Sequence, residues 1–425
     1  VAVLALVGAL VLVALYRRVL SIPQRPSWPP PPDAVTAAGA QAAVEASPAA
    51  PLRFARATAA TIEPWVEGAR FFPRIFADVE AASSSVHILM FGWKAGAVGT
   101  RMAALVKQKL GEGVEVRVLV DRLGSRPYGA SRAMFTELAS VGAEIVVGNF
   151  SPLDRQGLFP DRQRVIWRDG ELGRVDHRKL YVVDGSVALI VGAGLEDHFE
   201  DGGFHDVMVR VTGDVVRQSQ AAFLAAFRGR GGPPPSDLSR LFPEPADPGT
   251  TPVALAEVIP GGLVAASQAI REQIDAARER LDIANPYLTD PDAIGRILAA
   301  AGRGVMVRVL VSERSNNALA GAALRHRYAE LAEAGVEVWE LPGTVVHAKV
   351  VVADDLVSFG TLNLDAWALY RNWEVVMIAE SAEAGALFEE RLFEPAIARA
   401  RRAEPPAGTR ERLRCRVADR LTFFL

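Results

Sequence analysis

The chain has 425 residues, half of them hydrophobic and 23% charged, which is enough for two packed cores of ordinary size. A formal charge of −3 provides no global basic field and argues against a protein that coats nucleic acid through phosphate contacts. A single cysteine, Cys415, excludes an intrachain disulfide framework and a thiolate zinc cluster.

Val1 to Tyr16 carry no charge and are followed at once by Arg17 and Arg18, a pattern that predicts a membrane segment over 1–20. At ~1.5 Å per residue the uncharged run reaches ~24 Å against a ~30 Å hydrocarbon core, so it is short unless further residues precede Val1 or Val19 and Leu20 join it. A secretory signal is the rival reading, but no basic region precedes the run and no A-x-A site follows it within reach. The arginine pair places the rest of the chain on the cytoplasmic side by the positive-inside rule. Residues 21–55 are rich in Pro and Ala, include the run Pro29 to Pro32, and read as a tether.

Two segments, 56–228 and 253–400, then resemble one another across a Pro/Gly-rich linker at 229–252. Gly113-Val-Glu-Val-Arg-Val-Leu-Val-Asp121 recurs as Gly304-Val-Met-Val-Arg-Val-Leu-Val-Ser312, and Gly142-Ala-Glu-Ile-Val146 as Gly335-Val-Glu-Val-Trp339. In each copy an apolar strand (Val86 to Phe91; Leu281 to Ala284) precedes alternating helical and strand patterns, and a further strand (Val207 to Val211; Val375 to Ile378) comes before a closing helix. The prediction is two similar α/β lobes, each a mixed sheet flanked by helices, facing each other across one active site. The first copy carries extra chain, Phe150 to Gly173, read as a loop over its motif. The Arg-rich tail, 401–425, has Leu413, Val417, Leu421 and Phe424 on one helical stripe, which suits either an anionic bilayer surface or a terminal helix packed on the second lobe.

The chemistry concentrates in His177-Arg-Lys179-Leu-Tyr-Val-Val-Asp184 and His347-Ala-Lys349-Val-Val-Val-Ala-Asp354, two copies of H-x-K-x-x-x-x-D. On a strand, His and Lys two apart share a face, and one such face can hold one phosphate. Only five of the 47 basic residues are lysines (94, 107, 109, 179 and 349), and two of these five stand in the motifs. A compact ammonium is therefore kept where a phosphoryl oxygen needs a point charge. His87, His198 and His326 have no partner at metal-ligand spacing and read as ordinary histidines.

These motifs resemble those of the phospholipase D superfamily, and from about Phe71 to Ala400 the chain is most similar to bacterial cardiolipin synthases. Gly360-Thr-Leu-Asn363-Leu-Asp365, Asn285-Pro286-Tyr287, Asn372-Trp-Glu374 and Phe204-His205-Asp206 extend the likeness. The resemblance implies transfer through a phosphohistidine, with His177 as nucleophile, His347 as general acid and no metal or other cofactor. Lys179, Lys349 and Asn363 would bind the non-bridging oxygens, and Asp206 and Glu374 would hold the far ring nitrogens. Asp184 and Asp354 would brace the motif strands. The implied substrate is a phosphatidylglycerol-like phospholipid at a membrane rather than nucleic acid. A nuclease of the same superfamily and a non-catalytic membrane scaffold with this fold are the alternatives. Four departures stand out: Gly194 where the family commonly has Asn, Val191 in place of a second glycine before Gly192, Thr361 for a common Ser, and a second motif one residue shorter between Asp354 and Gly360.

Overall fold

A computed structural model describes residues 33–46, 52–126, 129–150, 165–169 and 174–422. The 1–20 segment, much of the 21–55 stretch and much of the insert after Phe150 lie outside them. Among the described residues no helix is long and apolar enough to cross a membrane.

The two halves build the same kind of sheet. In the first, Ser85–Met90, Glu115–Asp121, Glu144–Phe150 and Val165–Asp169 run parallel. Lys179–Val183, Val187–Val191, Val207–Thr212 and Thr61–Val66 continue it on the other side by antiparallel pairing, giving eight strands. In the second, Arg280–Ala284, Met306–Ser312 and Glu337–Leu341 are parallel, and Val350–Ala353, Leu356–Gly360, Glu374–Glu380 and Thr251–Ile259 are antiparallel. Their Val/Leu/Ile runs suit strands covered on both faces. Leu89, Leu119, Leu180 and Val182 share one core with Ala284, Leu310, Val350 and Val352 of the other sheet. Alternate residues such as Ile88, Met90, Val116 and Val118 pack outward under helices Gly68–Glu80 and Ala97–Gly111, as period-2 alternation requires. Helix Val216–Gly229 is buried on nearly every side, and its Phe223 and Phe227 lie in the shared core.

The described parts of the 21–55 stretch are not bare tether. Helix Ala40–Ala46 and strands Ala34–Val35 and Arg53–Phe54 form there, with Ala37, Ala40 and Val44 buried on one helical stripe that the Pro/Ala composition concealed. Ala57–Ala59 pairs with Thr251–Ile259, so the chain enters the first lobe by way of the second sheet. Part of the insert read as a loop forms the edge strand Val165–Asp169. The 229–252 stretch is held down by buried Leu241 and Phe242. In the tail, helix Thr409–Arg420 packs on Ala318–Glu333 through Cys415 and Ala418, whereas Leu413 and Val417 of the predicted stripe are exposed.

Each motif ends in a tight turn at its aspartate, where φ is 52° at Asp184 and 51° at Asp354. Asp184 accepts hydrogen bonds from the backbone N–H groups of Ser83, Ser84 and Ser85 at 2.7–2.8 Å. Asp354 accepts from those of Arg278, Glu279 and Arg280 at 2.8–3.0 Å. Each carboxylate thereby pins its motif strand to the start of the central strand beside it.

Candidate active site

His177 and His347 stand just ahead of Lys179–Val183 and Val350–Ala353, the strands at the point where each sheet changes from parallel to antiparallel. Two parallel contacts stitch the halves together there, an isolated bridge between Asp176 and Trp373 and the pairing of Phe204–His205 with Val345–Val346. The crossing sets an exchange of partners. His177 Nδ1 lies 3.0 and 3.1 Å from the carboxylate oxygens of Glu374, in the second half. His347 Nδ1 lies 2.7 Å from Asp206 Oδ2, in the first. With Nδ1 carrying the proton, a tautomer assigned from these partners, Nε2 of each ring is left for chemistry.

The lysines converge on the same place. Lys179 Nζ donates to the His177 carbonyl at 2.7 Å, and Lys349 Nζ lies 2.9 Å from His347 Nδ1 while donating to the His347 carbonyl. Thr361 Oγ1 donates to Glu374 Oε2 at 2.6 Å, so the hydroxyl kept at that position orients the carboxylate. Phe91 meets His177 edge-on at 5.0 Å, and Phe199 and Phe204 lie 5.2 and 5.6 Å from the His347 ring, giving the imidazoles apolar walls.

Burial dominates the electrostatics. It lowers Lys179 to about 8 and Lys349 to about 7. Burial, then the Lys179 and Lys349 ammoniums, holds His177 well below its usual value, and burial with Lys349 brings His347 to about 3. Both rings are therefore neutral at rest, as a nucleophile must be. Burial raises Glu374 to about 8. Asp206 goes the other way: burial pushes it up, but His347, Lys349 and the Val207 N–H together bring it below the usual carboxylate range. An entering phosphodiester brings the negative charge that these ammoniums lack, which favours protonation of one imidazole.

Asn363 is buried on the same loop, with Oδ1 lacking a hydrogen-bond partner among the described residues. Asn285 braces that loop, its Oδ1 accepting from Leu364 N at 3.1 Å and its Nδ2 donating to Leu362 O at 3.3 Å. Gly194 occupies the matching position in the first half. A Cβ there would lie 2.7 Å from Gly92 O and 3.0 Å from Glu196 Oε1, so the backbone closes the space an asparagine would use. Glu196 is in turn paired with Lys94.

Sequence reasoning missed a buried ionic network behind the first motif. Arg178, the residue between His177 and Lys179, donates to Asp176 at 2.8 and 2.7 Å and to Glu257 of the second half at 2.6 Å. Arg230 pairs with Asp176 at 3.0 Å and stacks on Trp373. The available signal was the contrast between the copies, since the corresponding residue of the second motif is Ala348. Among the described residues no group of three or more His, Cys, Asp or Glu side chains is placed to hold a metal ion.

A mixed α/β pair of sheets with paired H-x-K-x-x-x-x-D motifs at their junction defines the class that the chain is similar to, the phospholipase D superfamily. Within it the chain is similar to bacterial cardiolipin synthases. A family model described as cardiolipin synthase, PLD-like domain, matches residues 270–394. The chain is 30% identical over 335 residues to the protein named probable cardiolipin synthase YwiE of Bacillus subtilis (strain 168), covering 77% of this chain and 64% of that one. It is 29% identical over 323 residues to the cardiolipin synthase of Geobacillus kaustophilus (strain HTA426), covering 72% and 60%. The chain thus spans less than two thirds of these relatives' length. In fold it matches the phosphatidylserine synthase of Haemophilus influenzae Rd KW20, with a TM-score of 0.65 at 14% identity over 87% of this chain and 97% of that one.

Proposed function

We propose that the chain transfers a phosphatidyl group from an anionic phospholipid, such as phosphatidylglycerol, to an alcohol or water through a phosphohistidine at His177. The observation that carries this reading is the exchanged pairing, with His177 on Glu374 and His347 on Asp206 beside two buried lysines. In the first step His177 Nε2 attacks phosphorus, the bond to the headgroup oxygen breaks, and His347 gives that oxygen a proton. In the second, His347 takes the proton of an acceptor hydroxyl, whose oxygen attacks phosphorus as the P–N bond breaks. Lys179 and Lys349 offset the charge that grows on the non-bridging oxygens, and Asn363 adds an amide donor there. The ionised Asp206 suits an imidazole that must carry a proton, which supports His347 as the acid.

A lipid substrate is supported by the names of the relatives and by the modest net charge, and the reading includes an anchor over 1–20 with the lobes facing the cytoplasm. The experiment is incubation of the purified chain with phosphatidylglycerol vesicles, followed by mass spectrometry of lipids and of the trapped protein. Headgroup exchange and a phosphate on His177 are expected. Cleavage of DNA with no turnover on any phospholipid would defeat the lipid assignment. A phosphatase reporter fused after Leu425 should be inactive outside the cytoplasm, and activity there would contradict the orientation.

A further inference from the structure

The C-terminal helix Thr409–Arg420 has two unlike faces. Cys415 and Ala418 close against Ala322 and Ala323 of helix Ala318–Glu333, small side chains that let the two helices approach. Asp419 is held by Arg327 at 2.9 Å, so one of the two acids of this helix is engaged on the packing side. The other, Glu411, lines a cavity of about 170 Å³ between the helices, where Arg314, Arg325 and Arg414 stand with it.

The opposite face is open. Leu413 and Val417, one turn apart, are 62% and 50% exposed, and among the described residues only three other large hydrophobic side chains are exposed. Arg410, Arg416 and Arg420 lie three or seven positions from Leu413 and so share its face. All three are exposed, and none has an ion pair among the described residues. A chain whose formal charge is −3 has thus gathered unpaired cations and apolar side chains on one surface, with the acids of the helix kept off it.

This helix also stands beside the active site. Ser312 Oγ, at the end of strand Met306–Ser312, accepts a hydrogen bond from Val346 N at 2.8 Å, one residue before His347. The chain leaving that strand through Arg314 and Ser315 walls the cavity that Arg414 and Cys415 close. A surface held by the helix is therefore held at the catalytic end of the second sheet.

We propose that the outward face of helix Thr409–Arg420 docks on an anionic lipid bilayer, with Leu413 and Val417 at the boundary of headgroups and acyl chains and Arg410, Arg416 and Arg420 on lipid phosphates. Guanidiniums pair with phosphate oxygens in a fork, and a short apolar stripe flanked by cations suits a helix lying in the plane of the interface. The packing face stays on the protein, so docking requires no rearrangement of the fold. The proposal deepens the phospholipid reading of the active site and rests on it for its purpose, but binding is read without turnover.

The test places an environment-sensitive fluorophore on the full chain at Leu413→Cys, in a Cys415→Ala background so that one thiol is labelled, and at Met306→Cys in the same background as the control. Met306 is 52% exposed at the far end of the strand that finishes at Ser312, so an anchor elsewhere in the chain does not single out position 413. Phosphatidylglycerol vesicles should shift the emission of the probe at 413 to the blue and leave that at 306 unchanged, and phosphatidylcholine vesicles should shift neither. Arg410→Gln/Arg416→Gln/Arg420→Gln should weaken the docked state about a hundredfold, at roughly fivefold per arginine, and abolish the shift. Hydrogen exchange over 409–420 in the unsubstituted chain, slowed by phosphatidylglycerol but not phosphatidylcholine vesicles, checks the same face without any label. Equal responses at 413 and 306, equal responses to the two lipids, or no response in fluorescence and exchange alike overturns the docking face. A shift that grows with protein concentration in the absence of vesicles assigns the face to a second copy and overturns it too. Headgroup exchange without a shift at 413 defeats docking alone, whereas a shift without turnover on any phospholipid supports docking and defeats the reaction.

Discussion

Glu374 and Asp206 do the same geometrical job under different electrostatics, and the difference has a pH signature. Burial raises Glu374 to about 8, so below that pH it is a neutral acid whose O–H donates a hydrogen bond to His177 Nδ1, which selects the tautomer with the ring hydrogen on Nε2, where it blocks attack. Deprotonation of Glu374 restores a bare Nε2, and kcat/KM should therefore rise with pH toward 8. The lysines run in the opposite sense. Their ammoniums, lowered by burial to about 7 and 8, are charged below those values and lost above them, so phosphate stabilisation declines as pH rises. The expected profile is a narrow bell between about pH 7 and 8, and Glu374→Gln should remove its rising limb. A profile flat from pH 6 to 9 would contradict these assignments. The histidine and lysine positions were legible in the sequence because their spacing is rigid. Which carboxylate holds which ring was not, since each pair joins residues more than a hundred positions apart.

At the scale of single elements, the aspartates that end the motifs accept hydrogen bonds from the backbone at the start of the neighbouring strand. Replacing Asp354 by Ala removes an acceptor for three backbone N–H groups, and the loss expected is about 2–4 kcal/mol in denaturant unfolding, with kcat per folded molecule little changed. A fall in kcat of a thousandfold without loss of stability would instead place Asp354 in the chemistry. Arg178 is the stronger test of how the motif strand is seated. It is buried with Asp176 and Glu257, so Arg178→Ala leaves Asp176 to Arg230 alone and strands the buried Glu257 carboxylate, and should cost about 3–5 kcal/mol. Denaturant melts of Arg178→Ala and of Arg178→Met/Glu257→Leu separate the cases, because the second change removes the stranded Glu257 charge and should recover part of the loss. Equal destabilisation in both would show that packing, not charge, governs this contact.

The halves of the molecule are interlocked. Ala57–Ala59 lies in the second sheet, Arg391 of the second half bonds Pro64 of the first, and the shared core includes side chains of both sheets. Each histidine depends on a carboxylate across that junction, so fragments 56–228 and 253–400 produced separately should each show no turnover. Turnover by either fragment alone, measured by the same lipid assay, would refute a shared site.

By itself the sequence determined the repeat, the α/β class and the four motif side chains, because strand periodicity and short-range spacing are local properties of the chain. It also indicated the bracing aspartates, which act within their own lobes. Tertiary structure decided what depends on distant residues coming together: the exchange of Glu374 and Asp206 between the halves, the Arg178 network, the backbone closing on Gly194, and the helix of Ala40–Ala46 packed on Val216–Gly229. The physical reason is that these contacts are fixed by how two twisted sheets meet face to face, a geometry set by the summed packing of both cores rather than by any one stretch of chain.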